Sequence, residues 1–301
     1  MWIMYALLSA LFYAVATMFS KFSVTKLVRD QKGIVVLHAA AALIFISLLW
    51  VLKGRVGLSS VHDAVMALTS GTLIGFAAIF YFKAFNMEDA SVVTLLTQVT
   101  VPMTMLAGVL ILHDSIGLVQ LLAAGVILAG VTIATWSRKG FHLHSTSIIP
   151  VMLCATLLTT GVLIISRSVV SHNDTVAYTF YQTLGYAVFG LIFTAAHPPT
   201  RRGFIKNVRP HHPKMLIIIG IAEALYTLAI LSQLKGITYV NAGLVISVGA
   251  SEVFISIILG VVLTKFVPHI ITEKIDKKTV GRKFVAGFMI VVGIVLLNFV
   301  S

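Results

Sequence analysis

The chain contains one cysteine, Cys154, inside an apolar run, which excludes an internal disulfide and a metal site built on paired thiolates. Charge is scarce too: 11% of the 301 residues are Asp, Glu, Lys or Arg, against 58% hydrophobic. No soluble domain of this length needs so much apolar side chain, so lipid is the solvent that the composition fits. Two functional strings are missing, the phosphate loop GxxxxGK[ST] and the zinc motif HExxH. Their absence argues against direct ATP drive and against a zinc-dependent enzyme, so the reading is of a non-enzyme with no cofactor and no resident metal. The opening stretch MWIMYALLSALFYAVATMFSKF has no basic n-region and no small-residue cleavage site, and it reads as a retained helix.

What is present is a series of long apolar runs. Windows of roughly 19 residues predict spans at 2–24, 34–52, 64–85, 91–112 and 116–136, then at 148–166, 175–196, 215–234, 242–264 and 284–300. The expected fold is an all-α membrane protein of ten transmembrane helices, divided into a five-helix unit at 1–137 and another at 146–301. The formal net charge of +12 falls in the loops, where basic residues suit a membrane surface better than nucleic acid. The stretch from His197 to Lys214 reads as an extended, solvated loop, and EKIDKK from Glu273 as a short surface helix.

The two halves echo each other. Ser20-Lys21 closes the first span and Ser166-Arg167 the sixth. KAFNMEDASVVTLL from Lys83 parallels QLKGITYVNAGLVIS from Gln233, VPMTMLAGVLIL from Val101 parallels SEVFISIILGVVL from Ser251, and AAGVILAGV from Ala123 parallels VAGFMIVVG from Val285. Five spans is an odd number, so two such units cross the membrane in opposite senses, as an inverted pair. With these patterns the chain resembles the ten-helix EamA-type branch of the drug/metabolite transporter superfamily over nearly its whole length. It keeps Pro102 where that family has a proline in the fourth span, and departs from it in the ninth, where Glu252 or a near neighbour stands. The resemblance implies a secondary carrier of metabolites with a central cavity lined by both units.

Of the 22 Lys and Arg residues, 18 lie in loops after odd-numbered spans. The positive-inside rule puts those loops in the cytoplasm and both termini outside, in a multi-pass protein of the plasma membrane. The family is usually described with the termini inside; the charge bias is the stronger argument.

Ionisable groups at membrane depth cost several kcal/mol, roughly +2.5 to +3.5 for Asp, Lys or Arg at a helix centre. Glu223 in the eighth span and Glu252 in the ninth are therefore candidates for a substrate or proton pathway. Apolar surroundings favour a neutral carboxyl, so either could carry a proton; kept ionised, either would attract an organic cation. Polar stripes at helical spacing add Tyr178, Tyr181 and Gln182 on the seventh span, Gln98 on the fourth, Tyr226 on the eighth, and Tyr13 and Thr17 on the first. Such stripes either line a wet cavity or glue helices together. Pro102 is a candidate hinge, because it removes a backbone hydrogen bond inside a span. Lys21 and Arg167 are expected to snorkel to the headgroups, Gly71 and Gly75 to allow close helix contact, and His38 to be a packed core histidine. His142, His144, His197, His211 and His212 lack the spacing of a metal site.

The leading reading is a transporter of a small polar or amphiphilic metabolite, such as an amino acid, amine or drug-like solute, working by alternating access and coupled to protons. A channel, a non-catalytic membrane subunit or an intramembrane lipid-modifying enzyme is the alternative. Partners are the lipid bilayer, a small-molecule substrate, protons and a second copy of the chain, with no nucleic acid.

Overall fold

The computed structural model describes all residues except 28–30, 113–116, 138–139, 142–146, 209–212, 238, 240–244, 246–247, 268–276 and 299–301. The chain is helical almost throughout. In order, the helices are α1 (Trp2–Phe22), continued by a π-helical turn (Ser23–Leu27), α2 (Gln31–Leu52), α3 (Val61–Met87), α4 (Ala90–Thr97), α5 (Thr100–Leu112) and α6 (Leu118–Thr135). A two-residue antiparallel pairing, Trp136 with Phe141, leads to α7 (Ile148–Val170), α8 (Thr175–Ala196), α9 (Pro198–Val208), α10 (Pro213–Ile237), α11 (Glu252–Phe266) and α12 (Lys277–Asn298).

Among the described residues eight helical segments are long and apolar enough to cross a membrane, which makes this an integral multi-pass membrane protein. They match eight of the expected spans. The fifth falls on α6, whose apolar core Leu121–Ile133 is shorter, and the ninth falls on α11 together with 242–251, much of which lies outside the described residues. Leucines such as Leu52, Leu110 and Leu191 stand on the outer surface, where hydrocarbon rather than water is their solvent.

Local chemistry sets the ends. At the close of α2, Gly54 takes φ 90°, and the Arg55 N–H reaches back to the Trp50 carbonyl to satisfy the final turn. Ser60 accepts from the Asp63 N–H at 3.0 Å to start α3. Asp174 starts α8 by accepting from the N–H groups of Val176 and Ala177 at 2.9 and 3.1 Å.

Packing follows a reciprocal pattern. Helix α1 lies along α10, as α7 lies along α3; α3 also packs on α8, and α10 on α2. Helices α6 and α12 pack on each other through glycine. A Cβ on Gly130 would sit 2.9 Å from the Ala286 carbonyl oxygen and 2.9 Å from Ile290, and one on Gly293 would meet Ile127 at 2.7 Å and the Ala123 carbonyl oxygen at 2.8 Å. The expected close contact at Gly71 is also present: its Cβ would collide with the Gln182 carbonyl, and a Cβ on Gly75 with the Phe189 ring.

Three local expectations need correction. The segment after His197 is not an extended loop over its first part, since α9 occupies Pro198–Val208. Proline at the first helical position costs no hydrogen bond there, and the Thr200 N–H is accepted by His197 Nδ1 at 3.3 Å. Lys21 does not snorkel outward; its ammonium turns in to the Phe85 and Glu88 carbonyls at the end of α3, which carry the negative end of the helix dipole. The last span starts at Lys277 rather than Phe284, because Lys283 is buried against protein. Of the proposed surface helix from Glu273, residues 273–276 lie outside the described residues.

Candidate functional site

The expected fourth span is two helices. Pro102 has no N–H to give the Gln98 carbonyl, and its ring crowds that carbonyl. The chain responds by breaking at Gln98–Val99: the Gln98 carbonyl takes the Val101 N–H at 3.0 Å instead, and Val99 N–H bonds back only to Leu96. A second interruption lies at Ala250–Ser251, just before α11, where Val253 N–H reaches Ala250 at 3.1 Å. No proline causes this one. Helices α4 and α11 pack together. Each break carries a buried hydroxyl without a hydrogen-bond partner among the described residues, Thr100 Oγ1 in one and Ser251 Oγ in the other, and Thr104 Oγ1 lies one turn further along α5 in the same state.

Glu252 opens α11, in the first turn, where the helix dipole favours an anion. Its side chain is half-buried and forms no hydrogen bond or ion pair among the described residues. Tyr13 of α1, Tyr81 of α3 and Tyr226 of α10 are each within electrostatic range of its carboxyl. The rings of Tyr13 and Tyr226 are 6.0 Å apart, the Tyr226 hydroxyl meets Thr17 at 3.2 Å, and the Tyr13 hydroxyl donates to Gln233 at 3.5 Å. Tyr13, Tyr81, Tyr226, Gln233 and Glu252, each within a helix of the bundle, and Gln98 at the break are all half-buried.

The other sequence candidates go elsewhere. Tyr178 and Gln182 are buried in a closed network: the Gln182 amide donates to Ser70 at 2.8 Å and to the Tyr178 hydroxyl at 2.9 Å, and Ser166 meets Tyr178 at 2.6 Å. Tyr181 packs edge-on to Phe180 with ring centroids 5.5 Å apart. The Gln98 amide donates to the Thr94 carbonyl at 3.4 Å, on the break itself. Glu223 is paired with His38, Oε1 to Nδ1, and both are buried.

Sequence reasoning missed two groups. Tyr81 gave no signal apart from its aromatic neighbours. Lys283, Asp89 and Ser91 form a buried polar cluster, with the ammonium 3.0 Å from Asp89 and 2.7 Å from Ser91. Asp89 in the short α3–α4 link was the available sign. Among the described residues no three His, Cys, Asp or Glu gather as metal ligands; His142, His144, His211 and His212 lie outside them.

At the opposite end of the bundle, the turn after α2 is bound to the turn after α7. Lys53 pairs with Asp174, the Ser59 N–H donates to Asn173 at 2.7 Å, and Asp63 meets His172 at 3.2 Å. Burial alone would raise the Asp174 carboxyl, but the Lys53 ammonium and the N–H groups of Ala177 and Val176 outweigh it and hold the group below its usual range.

The model of the EamA-like transporter family matches residues 1–136. Over those residues the match supports the EamA-type drug/metabolite transporter superfamily. EamA proteins are membrane transporters of small solutes, not a family of enzymes. No curated protein matches the chain. Among solved structures, one described as "Crystal structure of protein" superposes with a TM-score of 0.59 at 15% identity, covering 98% of this chain and 97% of the other, a likeness of fold alone. The EamA match ends at the close of α6, so the second half rests on the fold and on its echo of the first.

Proposed function

We propose that this EamA protein is a secondary transporter of ten spans, built as two inverted five-helix repeats that alternate access to a site between them. The observation that carries the reading is Glu252: a half-buried carboxyl with no hydrogen-bond or ion-pair partner among the described residues, at a helix interruption and in the field of three tyrosines from three other helices. Broken helices with exposed backbone ends at membrane depth are where carriers bind cargo. The inverted repeat is supported by the exchange of packing partners, α1 on α10 and α7 on α3, and by the matching interruptions of the fourth and ninth spans.

The cargo is a small polar or amphiphilic solute. Tyr13, Tyr81 and Tyr226 grip its apolar body. Gln98, Thr100 and Ser251 orient its polar groups, and Glu252 takes a cationic amine or a proton. Pro102 serves as the hinge of the fourth span. Transport is coupled to protons, the protein resides in the plasma membrane with both termini outside, and a second copy is a partner to test for. The lipid-modifying alternative has no observation in its favour.

Thermal-shift screening against amines, amino acids, nucleosides and sugars identifies the cargo, since a ligand binding only the folded state raises apparent stability. Counterflow of the best binder in proteoliposomes then tests the reading. Wild type shows counterflow and Glu252→Gln loses it at unchanged expression; flux without saturation or counterflow indicates a channel and overturns the carrier.

A further inference from the structure

His38 and Glu223 form an ionisable contact between the two halves that the cargo reading does not use. His38 belongs to α2 and Glu223 to α10, and their side chains are 0% and 10% exposed. The imidazole lies 4.7 Å from the Phe82 ring. Its Nδ1 meets Glu223 Oε1, while its Nε2 is buried with no partner among the described residues. A neutral imidazole has one donor and one acceptor, and a carboxylate only accepts. With Nδ1–H donating to the carboxylate, Nε2 is an unsatisfied acceptor and the pair carries one negative charge. One added proton, held as imidazolium and carboxylate or as imidazole and carboxylic acid, makes the pair neutral overall.

From α8 the Tyr186 phenol faces Glu223, and from α10 itself Tyr226 does. From α3 the neighbour is Phe82, and on α9 Arg201 and Arg202 are exposed. Glu223 and Tyr226 stand one helical turn apart on α10, and Tyr226 also lies within electrostatic range of Glu252. One tyrosine thus stands between the pair and the proposed cargo carboxyl.

We propose that the His38–Glu223 pair is the proton-binding site of this carrier, separate from Glu252, and that its protonation biases the relative position of the two halves. The proposal rests on the carrier reading. A contact that joins two moving bodies is made or broken with their motion, and a ligand shifts such an equilibrium by its differential affinity for the two states. Here the ligand is the proton, which the contact between the His38 imidazole and the Glu223 carboxylate offers a place to bind.

The test needs no cargo. Spin labels replace Lys83 and Arg201, both exposed and in different halves, in a full-length Cys154→Ser background reconstituted in nanodiscs. A step from about pH 7.5 to about pH 5.5 spans the ordinary histidine titration. The interlabel distance distribution is expected to shift in the parent protein and in His172→Gln, which removes the His172–Asp63 pair. It is expected to stay fixed in Glu223→Gln and in His38→Gln, with Glu223→Asp retaining a response. Either variant suffices if the other fails to fold. An equal shift in Glu223→Gln or His38→Gln, or no shift in the parent, overturns the proposal. Failure of counterflow in the wild type would instead sink the carrier reading, because the pH step reports no transport.

Discussion

Gly130 and Gly293 each press against the helix that carries the other, and each meets a residue pair of the same kind: Ala286 and Ile290 for Gly130, Ala123 and Ile127 for Gly293. The partners are displaced along the chain by the same interval as the glycines. That reciprocity is what a two-fold axis between α6 and α12 would produce.

Enlarging either glycine forces backbone apart, since the nearest obstacles include the Ala286 and Ala123 carbonyl oxygens. Gly130→Val or Gly293→Val is expected to destabilise the protein by about 1–3 kcal/mol. Gly125→Val, where the added Cβ would meet open space, serves as the control. Thermal unfolding in detergent compares the three.

Lys283 is 3% exposed and its ammonium bonds to Asp89 and Ser91, so removing the cation leaves a buried anion behind. Lys283→Met is expected to cost about 3–5 kcal/mol, with part of the loss recovered in the Lys283→Met, Asp89→Asn double variant. Expression level and unfolding temperature of the single and double variants read this out; equal loss in both would mean that the ion pair is not the cause.

The pH response of Asp174 has a definite sign. Its carboxyl is depressed in the folded protein, so its contribution is complete above the ordinary Asp value of about 4 and fades as pH falls through the lower folded value. Asp174→Asn should flatten the acid side of the stability curve and leave its shape above about pH 5 unchanged. The effect is small because the Lys53 partner is exposed. Unfolding temperature followed across the acid range checks it.

Orientation is open to a direct test. The Lys and Arg bias of the loops leads to an external C-terminus, so a reporter active only outside the cytoplasm should give signal when fused to Ser301. A silent reporter with full expression reverses the assignment.

Hydropathy alone was enough for eight spans, because a membrane segment announces itself by length and apolarity. The fifth and ninth were harder to match. The apolar core of α6 is short, and the ninth span is interrupted at Ala250–Ser251, where no proline marks the break. Pro102 did mark the other break, since a missing N–H is written in the sequence. Pairing was not legible. His38 looked like a lone core residue because Glu223 lies 185 positions away, and nothing local joins them. Tyr178 and Gln182 shared a helical stripe with the signature of a cavity lining, yet their partners Ser70 and Ser166 come from other helices and satisfy them. A stripe gives a direction; only the fold says whether solvent or protein waits there.

The bonds joining the turn after α2 to the turn after α7 give any rocking motion a fulcrum. Lys53–Asp174, Ser59–Asn173 and Asp63–His172 tether the two halves of the chain at one rim. Helices fastened at that rim would swing widest at their far ends, where Lys283 of the second half grips Asp89 and Ser91 of the first, so opening the molecule there would mean unfastening that lysine first.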